Sequence, residues 1–395
     1  MKSLRRYLLT VVMTLVLILP SLSRADQSNL GIEEKVNGYY AMEVNSGQEL
    51  LNYQEDQAFP IASLTKIMTY ILVMEDVEGG KYSLNDEVKI EETYNEANAS
   101  VIGLEKGDVL TVNDLIKGML VASGNDAAEA LAINSAGTSN DFVKAMNDKA
   151  KELGFESAEF FTPSGYPEGD NENVMSAKDV ANMCAYAIRT YPQITNYTSQ
   201  EVFSLPEKNF SKESTIPFLG EIDGVDGLKT GTSDGAGYCV STSMTLSKGE
   251  NGEKIVSVLL GAPDKYDRNM FQKEILDYID TSFIPQKIST GGEVVGEISV
   301  NSAKDRHVKA VATEDISILY NEKTGLEQSV QMKEGLKAPI KEGDVVGEMV
   351  INTGKGEPRK VGLVSDKDYK RVNPLTRFSR AMEYIFTLFS KLLNV

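Results

Sequence analysis

Tryptophan is absent from this chain, and histidine occurs once, at position 307. The missing tryptophan excludes nothing. The single histidine excludes a good deal. A multi-histidine zinc site needs ligands that one His and two Cys cannot supply. A Ser-His-Asp triad would have to use His307, which lies far along the chain from the other chemistry-bearing residues, on a segment that reads as strand in another domain. Any serine nucleophile here needs a different base, and lysine is the obvious one. Positive charge is scarce too. Forty basic residues against 58 acidic ones leave a net charge of −18. Such a chain repels nucleic acid, so no nucleic-acid partner is expected. The two cysteines, Cys184 in a helical pattern and Cys239 in a strand pattern, leave a disulfide and two buried free thiols both open, with free thiols favoured.

What is present has room for two domains. The chain has 395 residues, and 41% hydrophobic with 25% charged content is that of a globular protein with a sizeable core. Residues 1–25 read as a secretory signal. Lys2, Arg5 and Arg6 precede an apolar stretch from Leu8 to Leu19, and Ser23-Arg24-Ala25 offers small residues at a cleavage site. An uncleaved N-terminal anchor is the alternative. Cleavage would remove four cations (Lys2, Arg5, Arg6, Arg24) and no anion, deepening the net charge from −18 to −22.

Residues 36–54 predict a hairpin turning at Asn45-Ser46-Gly47. An apolar run from Ile67 to Met74 predicts a helix ending before Gly79-Gly80. Residues 112–153 predict a helical cluster: a first helix capped by Asn113 or Asp114, a break at Ser123-Gly124-Asn125-Asp126, a second from Ala127 to Ile133, and a third from Phe142 to Leu153. A loop follows over 160–175, then a capped helix from Ser176 to Tyr191, stopped by Pro192. The stretch up to Gly224 reads as irregular. Paired strands at Tyr238–Leu246 and 254–260, and a helix from about Asp267 to Ile279, complete an α+β unit over 33–282 with a mostly antiparallel sheet flanked by helices. Residues 287–372 change to short alternating runs between glycine turns, a small all-β domain. Over 374–395, Leu375, Phe378, Met382, Ile385, Phe389 and Leu392 fall at helical spacing. This amphipathic helix is too short in uninterrupted apolar length to span a bilayer. A membrane-surface anchor is favoured over docking on the β domain or in an oligomer.

The chemistry begins at Pro60-Ile61-Ala62-Ser63-Leu64-Thr65-Lys66. A hydroxyl and an amine at i and i+3 share one face of a helix start, where backbone N–H groups point outward. Ser-x-x-Lys alone is a chance-level pattern, and a helix cap is the plain alternative for Ser63. Two further groups raise its value: Ser123-x-Asn125 and Lys229-Thr230-Gly231. Decoys of both occur at Ser299-Val300-Asn301 and Lys323-Thr324-Gly325, without a Ser-x-x-Lys upstream in the same domain. A lysine acts as base only when it is neutral part of the time, and a second cation plus burial lower its pKa. Lys229 can be that cation for Lys66. Ser123 can relay a proton to a leaving amine, Asn125 can hold a substrate amide, and Thr230 can bind a carboxylate with a basic side chain. The N–H groups of Ser63 and Thr232 can form an oxyanion hole.

In this order the motifs form the Ser-x-x-Lys, Ser-x-Asn and Lys-Thr-Gly set of penicillin-recognising enzymes. Over roughly 33–372 the sequence resembles the serine D-alanyl-D-alanine carboxypeptidases, the low-molecular-mass penicillin-binding proteins. The resemblance extends to Ala338-Pro339-Ile340-Lys341-Glu342-Gly343-Asp344-Val345-Val346-Gly347 in the β domain and to the terminal helix. It implies Ser63 as nucleophile, Lys66 as general base, Ser123 as relay and Lys229 as electrostatic partner. It implies Asn125, Thr230, Gly231 and Thr232 in substrate binding, with Arg268 matching the family's arginine after the last sheet strand. The implied substrate is a peptidoglycan stem peptide ending in D-Ala-D-Ala, with β-lactams acylating Ser63. No metal or cofactor is implied, and the location is the outer face of the cytoplasmic membrane or the cell wall. One departure is Tyr166 in Phe161-Thr162-Pro163-Ser164-Gly165-Tyr166-Pro167, where the family usually has Leu. The rival readings are a class A-like β-lactamase, for which Glu168-Gly169-Asp170-Asn171 would supply the glutamate, and a non-catalytic peptidoglycan-binding protein on the same scaffold.

Overall fold

The computed structural model describes residues 30–248, 252–376, 378–380 and 382. The expected signal segment 1–25 and most of the terminal helix lie outside them. Gly38–Glu43 (β1) and Glu49–Tyr53 (β2) make the expected hairpin. A short strand Ala58–Pro60 (β3) leads through a 3-10 turn, Ala62–Thr65, into helix Lys66–Glu78 (α1). Every residue from Lys66 to Met74 is buried. A helix apolar all round belongs in the middle of a core, and this one is the centre of the larger cluster. Each buried Ile, Leu, Val or Met side chain there contributes about 1.5–3 kcal/mol.

Glu87–Lys89 (β4) pairs with Val109–Thr111 (β5) ahead of three helices, Val112–Leu120 (α2), Asn125–Ala136 (α3) and Ser139–Glu152 (α4). The cap of α2 is Thr111, whose hydroxyl accepts from the Asp114 N–H, rather than Asn113 or Asp114. Asp114 instead sits in the first turn, where a carboxylate favours the helix dipole. Asn125 and Asp126, expected in the break, begin α3; the break itself is Ser123-Gly124. Val174–Ser176 (β6) pairs with β3, and Ser176 caps helix Ala177–Thr190 (α5).

The stretch before Gly224 is not irregular. It holds a one-turn helix, Ile194–Thr198 (α6), and a hairpin of Val202–Leu205 (β7) with Phe210–Glu213 (β8). The residue pattern of β7 alternates, with Phe203 and Leu205 buried and Val202 and Ser204 exposed. Then follow Val225–Ser233 (β9), Gly237–Thr245 (β10), Lys254–Ala262 (β11) and helix Lys265–Ser282 (α7). The Lys229 motif is therefore itself a strand, not a lead-in to the paired strands.

The main sheet runs β2-β1-β11-β10-β9, antiparallel throughout. Helices α1 and α5 and the helical cluster cover one face, and α7 covers the other over a second core of Leu259, Phe271, Ile275 and Ile279. Strand β9 lies at the sheet edge. Cys184 and Cys239 are both buried and free.

The remaining strands are Ile284–Ser289 (β12), Val294–Ser299 (β13), His307–Ala312 (β14), Ile316–Tyr320 (β15), Glu327–Met332 (β16), Val345–Asn352 (β17) and Arg359–Ser365 (β18). They form the pair β12-β15 and a five-stranded sheet β13-β14-β18-β17-β16 around their own core. The fold is α+β followed by an all-β region. Lys323-Thr324-Gly325 is a turn after β15, with Thr324 and Gly325 donating to the Asn321 carbonyl. Gln48 in the first hairpin exchanges two hydrogen bonds with the Leu319 backbone, at 2.6 and 2.8 Å. Residues 374–376 and 378–380 are helical. Arg380 donates to the carbonyls of Asn301, Ala303 and Lys304, while Leu375 and Phe378 are 81% and 66% exposed.

Candidate active site

Two backbones meet at the 3-10 turn that carries Ser63. Strand β9 passes so close that a Cβ on Gly231 would lie 2.6 Å from the Ile61 carbonyl oxygen and 3.2 Å from the Ser63 nitrogen. From the other side, Gly165 at φ +76° would place a Cβ 1.9 Å from the Ala62 carbonyl oxygen. Only glycine fits at either place. Ala62 itself takes φ +45°, which is uncommon for a residue with a side chain. The turn is clamped between the edge strand and the 160–175 loop. Ser63 is left half-buried, while Lys66, one turn on, is fully enclosed.

The Lys66 ammonium spends its three donors on three acceptors. It donates to Ser63 Oγ at 2.8 Å, Asn125 Oδ1 at 2.7 Å and the Ser164 carbonyl at 2.7 Å. Burial first, then the Lys229 cation, hold Lys66 well below the ordinary lysine range. Lys212 pushes the same way and Asp126 opposes. Lys229 is as deeply enclosed. It donates to Ser123 Oγ and the Thr230 carbonyl, each at 2.9 Å. Burial, then Lys212 and Arg268, bring it down to about 7. The result is two amines held below the ordinary lysine range, each hydrogen-bonded to a serine.

Ser123 reaches Lys229 through a left-handed turn, φ +61°. Asn125 N–H donates to the Ser100 carbonyl at 2.7 Å. Asp126 accepts from the N–H groups of Ile102, Gly103, Leu104 and Ala127, pinning the 100–104 loop to the start of α3. Thr230 donates to the Thr215 hydroxyl at 2.8 Å, and Thr232 lies exposed at the open end of β9. Arg268 is in the first turn of α7, 4% exposed, and bonded to Asn269 Oδ1 at 3.0 and 2.8 Å. Its charge is felt at Lys229, though its hydrogen bonds go to its neighbour rather than to Thr230.

The structure thus forms two hydrogen-bonded groups, Ser63–Lys66–Asn125 and Ser123–Lys229–Thr230, coupled through the charges of the two lysines. His307 is apart, on β14, beside Glu297. Two residues were missed by the sequence, Lys212 and Thr215. Both follow from the β7–β8 hairpin, whose alternation at Phe203 and Leu205 was the available signal. Tyr166 spans to the Ala97 carbonyl at 2.7 Å, so the residue that departs from the usual Leu joins the two loops beside the site. Glu168 and Asn171 bond each other's backbones in a tight turn.

A serine hydroxyl beside a depressed lysine, a second hydroxyl–amine pair and an open edge strand suit acyl transfer on a peptide laid along β9. Comparison with known proteins points the same way. Residues 24–264 match the family model described as D-alanyl-D-alanine carboxypeptidase, and 283–371 match that of the penicillin-binding protein 5 C-terminal domain. The D-alanyl-D-alanine carboxypeptidase DacF of Bacillus subtilis is 30% identical over 347 residues, 86% of this chain and 87% of the relative. Among solved structures, penicillin-binding protein 5 of Haemophilus influenzae superposes with a TM-score of 0.74 at 28% identity, over 85% of this chain and 98% of that one. A peptidoglycan synthesis regulatory factor, PBP3, of Streptococcus pneumoniae gives 0.71 at 30% identity, over 85% and 99%.

Proposed function

The chain belongs to the D-alanyl-D-alanine carboxypeptidase family, and from that footing we propose that Ser63 is the nucleophile that releases terminal D-alanine from peptidoglycan stem peptides. The protein is a serine-type D-Ala-D-Ala carboxypeptidase and a penicillin-binding protein. The observation that carries the residue assignment is the 2.8 Å bond between the enclosed Lys66 amine and Ser63 Oγ. A neutral Lys66 takes the Ser63 proton as Oγ attacks the carbonyl between the two D-alanines. The N–H groups of Ser63 and Thr232 stabilise the oxyanion. Ser123, held by Lys229, passes a proton to the departing amine. Asn125 orients the substrate backbone, Gly231 lets it approach the strand, and Thr230 with Arg268 receives the terminal carboxylate. Water then hydrolyses the acyl-enzyme.

The domain division follows the sequence: a catalytic unit over 33–282, an all-β unit over 287–372 and an anchoring helix over 374–395, behind a signal peptide of 1–25. The work would be done outside the cytoplasmic membrane, with the protein peripherally attached. No helix among the described residues is long and apolar enough to cross a membrane. The exposed Leu375 and Phe378 support a surface-seeking helix. The test is incubation with penicillin and with a D-Ala-D-Ala peptide, read by mass spectrometry. The expected result is a stable penicilloyl adduct on the peptide containing Ser63, together with released D-alanine; Ser63→Ala should abolish both. Rapid penicillin hydrolysis without a lasting adduct would favour the β-lactamase alternative, and D-alanine release unaffected by Ser63→Ala would overturn the assignment.

A further inference from the structure

Ser123 occupies a conformation that an L-residue adopts reluctantly, φ +61°, in a break between two helices. Something outside those helices has to hold it there. The hub is Ser100. Its carbonyl accepts from the Asn125 N–H at 2.7 Å, and its hydroxyl donates to the Ala122 carbonyl at 3.1 Å. Ser100 therefore grips the turn on both flanks of Ser123-Gly124. The Lys212 ammonium, on β8, closes the clamp by donating to Ser100 Oγ at 2.6 Å and to the Ala122 carbonyl at 2.8 Å.

We propose that Lys212 is a positioning residue for the reaction at Ser63: by tying β8 to Ser100 and Ala122 it holds Ser123 where Lys229 meets it. This rests on the assignment of Ser123 and Lys229 to the reaction. Lys212 sits outside all three motifs, on a hairpin that no motif marks. The charge has a second consequence. The charged groups facing Lys66 are Lys229 from β9, Lys212 from β8 and Asp126 from α3. Those facing Lys229 are Lys212 and Arg268, the latter from α7. Among the described residues, Lys212 is the only cation that faces both amines. Its own counter-charge is Asp126, whose carboxylate is already committed to four backbone N–H groups. Removing the Lys212 charge lets Lys66 and Lys229 hold protons to higher pH, so the acidic limb of the acylation profile moves upward.

Three variants separate the clamp from the charge. Lys212→Met loses both, Ser100→Ala loses the hydroxyl side of the hub while its carbonyl and the Lys212 charge remain, and Lys212→Arg keeps the charge and donors. Penicillin acylation rates are measured from pH 5 to pH 10 on the full chain, with thermal midpoints alongside. Lys212→Met should acylate roughly 10- to 100-fold more slowly, the range expected for lost hydrogen bonds to a charged donor, with its acidic limb displaced upward. Ser100→Ala should slow with the limb in place, and Lys212→Arg should recover most of the rate and the wild-type limb. Lys212→Met acylating within twofold of wild type at every pH, or a slow Lys212→Met that Lys212→Arg fails to rescue, overturns the proposal. An unmoved limb in Lys212→Met overturns its electrostatic half. A wild-type protein that penicillin never labels would instead sink the assignment of Ser63.

Discussion

Two enclosed lysines are a heavy burden for one fold to carry. Lys66 and Lys229 have no exposed surface, and each is depressed below the unfolded-chain value of 10.5. Between about pH 7 and pH 10.5 the folded chain binds fewer protons at Lys229 than the unfolded chain does. Stability must therefore rise with pH across that window, and it falls as pH drops toward 7 and the buried amine takes up its proton. Lys229→Met removes that dependence. The slope of unfolding free energy against pH, from urea titrations at pH 7, 8, 9 and 10, should flatten by up to about 1.4 kcal/mol per pH unit. An unchanged slope would mean that Lys229 is not neutral in the folded state. The serine partners make the depression useful, because each amine already points at a hydroxyl.

Among the elements, the 100–104 loop and α3 show how one carboxylate organises the turn that carries Ser123. Asp126 holds Ile102, Gly103 and Leu104 from the helix start. Asp126→Ala should cost about 2 kcal/mol in urea unfolding and should speed hydrogen exchange at those three amides. Exchange at the wild-type rate would show that the loop is held by something else. Thr111→Ala is the contrast: a lost cap of α2, about 1 kcal/mol, with penicillin acylation unchanged because α2 carries no reacting group. These elements were unevenly legible in the sequence. Long apolar periods gave α1, α2, α4 and α5, and glycine turns gave the first hairpin. The cap of α2 was misplaced because Thr, Asn and Asp at 111, 113 and 114 compete for the same role, and only the path of the entering chain decides. The β7–β8 hairpin was missed because its strands are four residues each, too short for a clear period. Lys212 and Thr215 were lost with it. The motif residues were legible because their identity carries the chemistry. Their meeting was not, since Lys229 and Ser123 lie 106 positions apart.

For the whole molecule, the proposed anchor is the terminal helix. Arg380 fastens its start to the β region through three carbonyls, while Leu375 and Phe378 face outward. A chain of net charge −18 gains nothing from an anionic surface, so the proposed attachment rests on apolar area. Deleting 374–395 should leave penicillin acylation intact and move the protein from the membrane fraction to the soluble fraction. Membrane retention after the deletion would contradict the anchor. Gln48 links the main sheet to β15 by a pair of bonds that mimics a strand ladder.

The glycines that crowd Ser63 set a boundary on how such an enzyme can be altered. Gly231 and Gly165 let main chain press directly on main chain on both sides of the turn that carries Ser63. The surrounding Tyr166, Thr215 and Thr232 are then free to be exchanged as a palette. Substitutions among them would retune which peptide is accepted while the serine stays still, whereas a single added methyl at either glycine would move it.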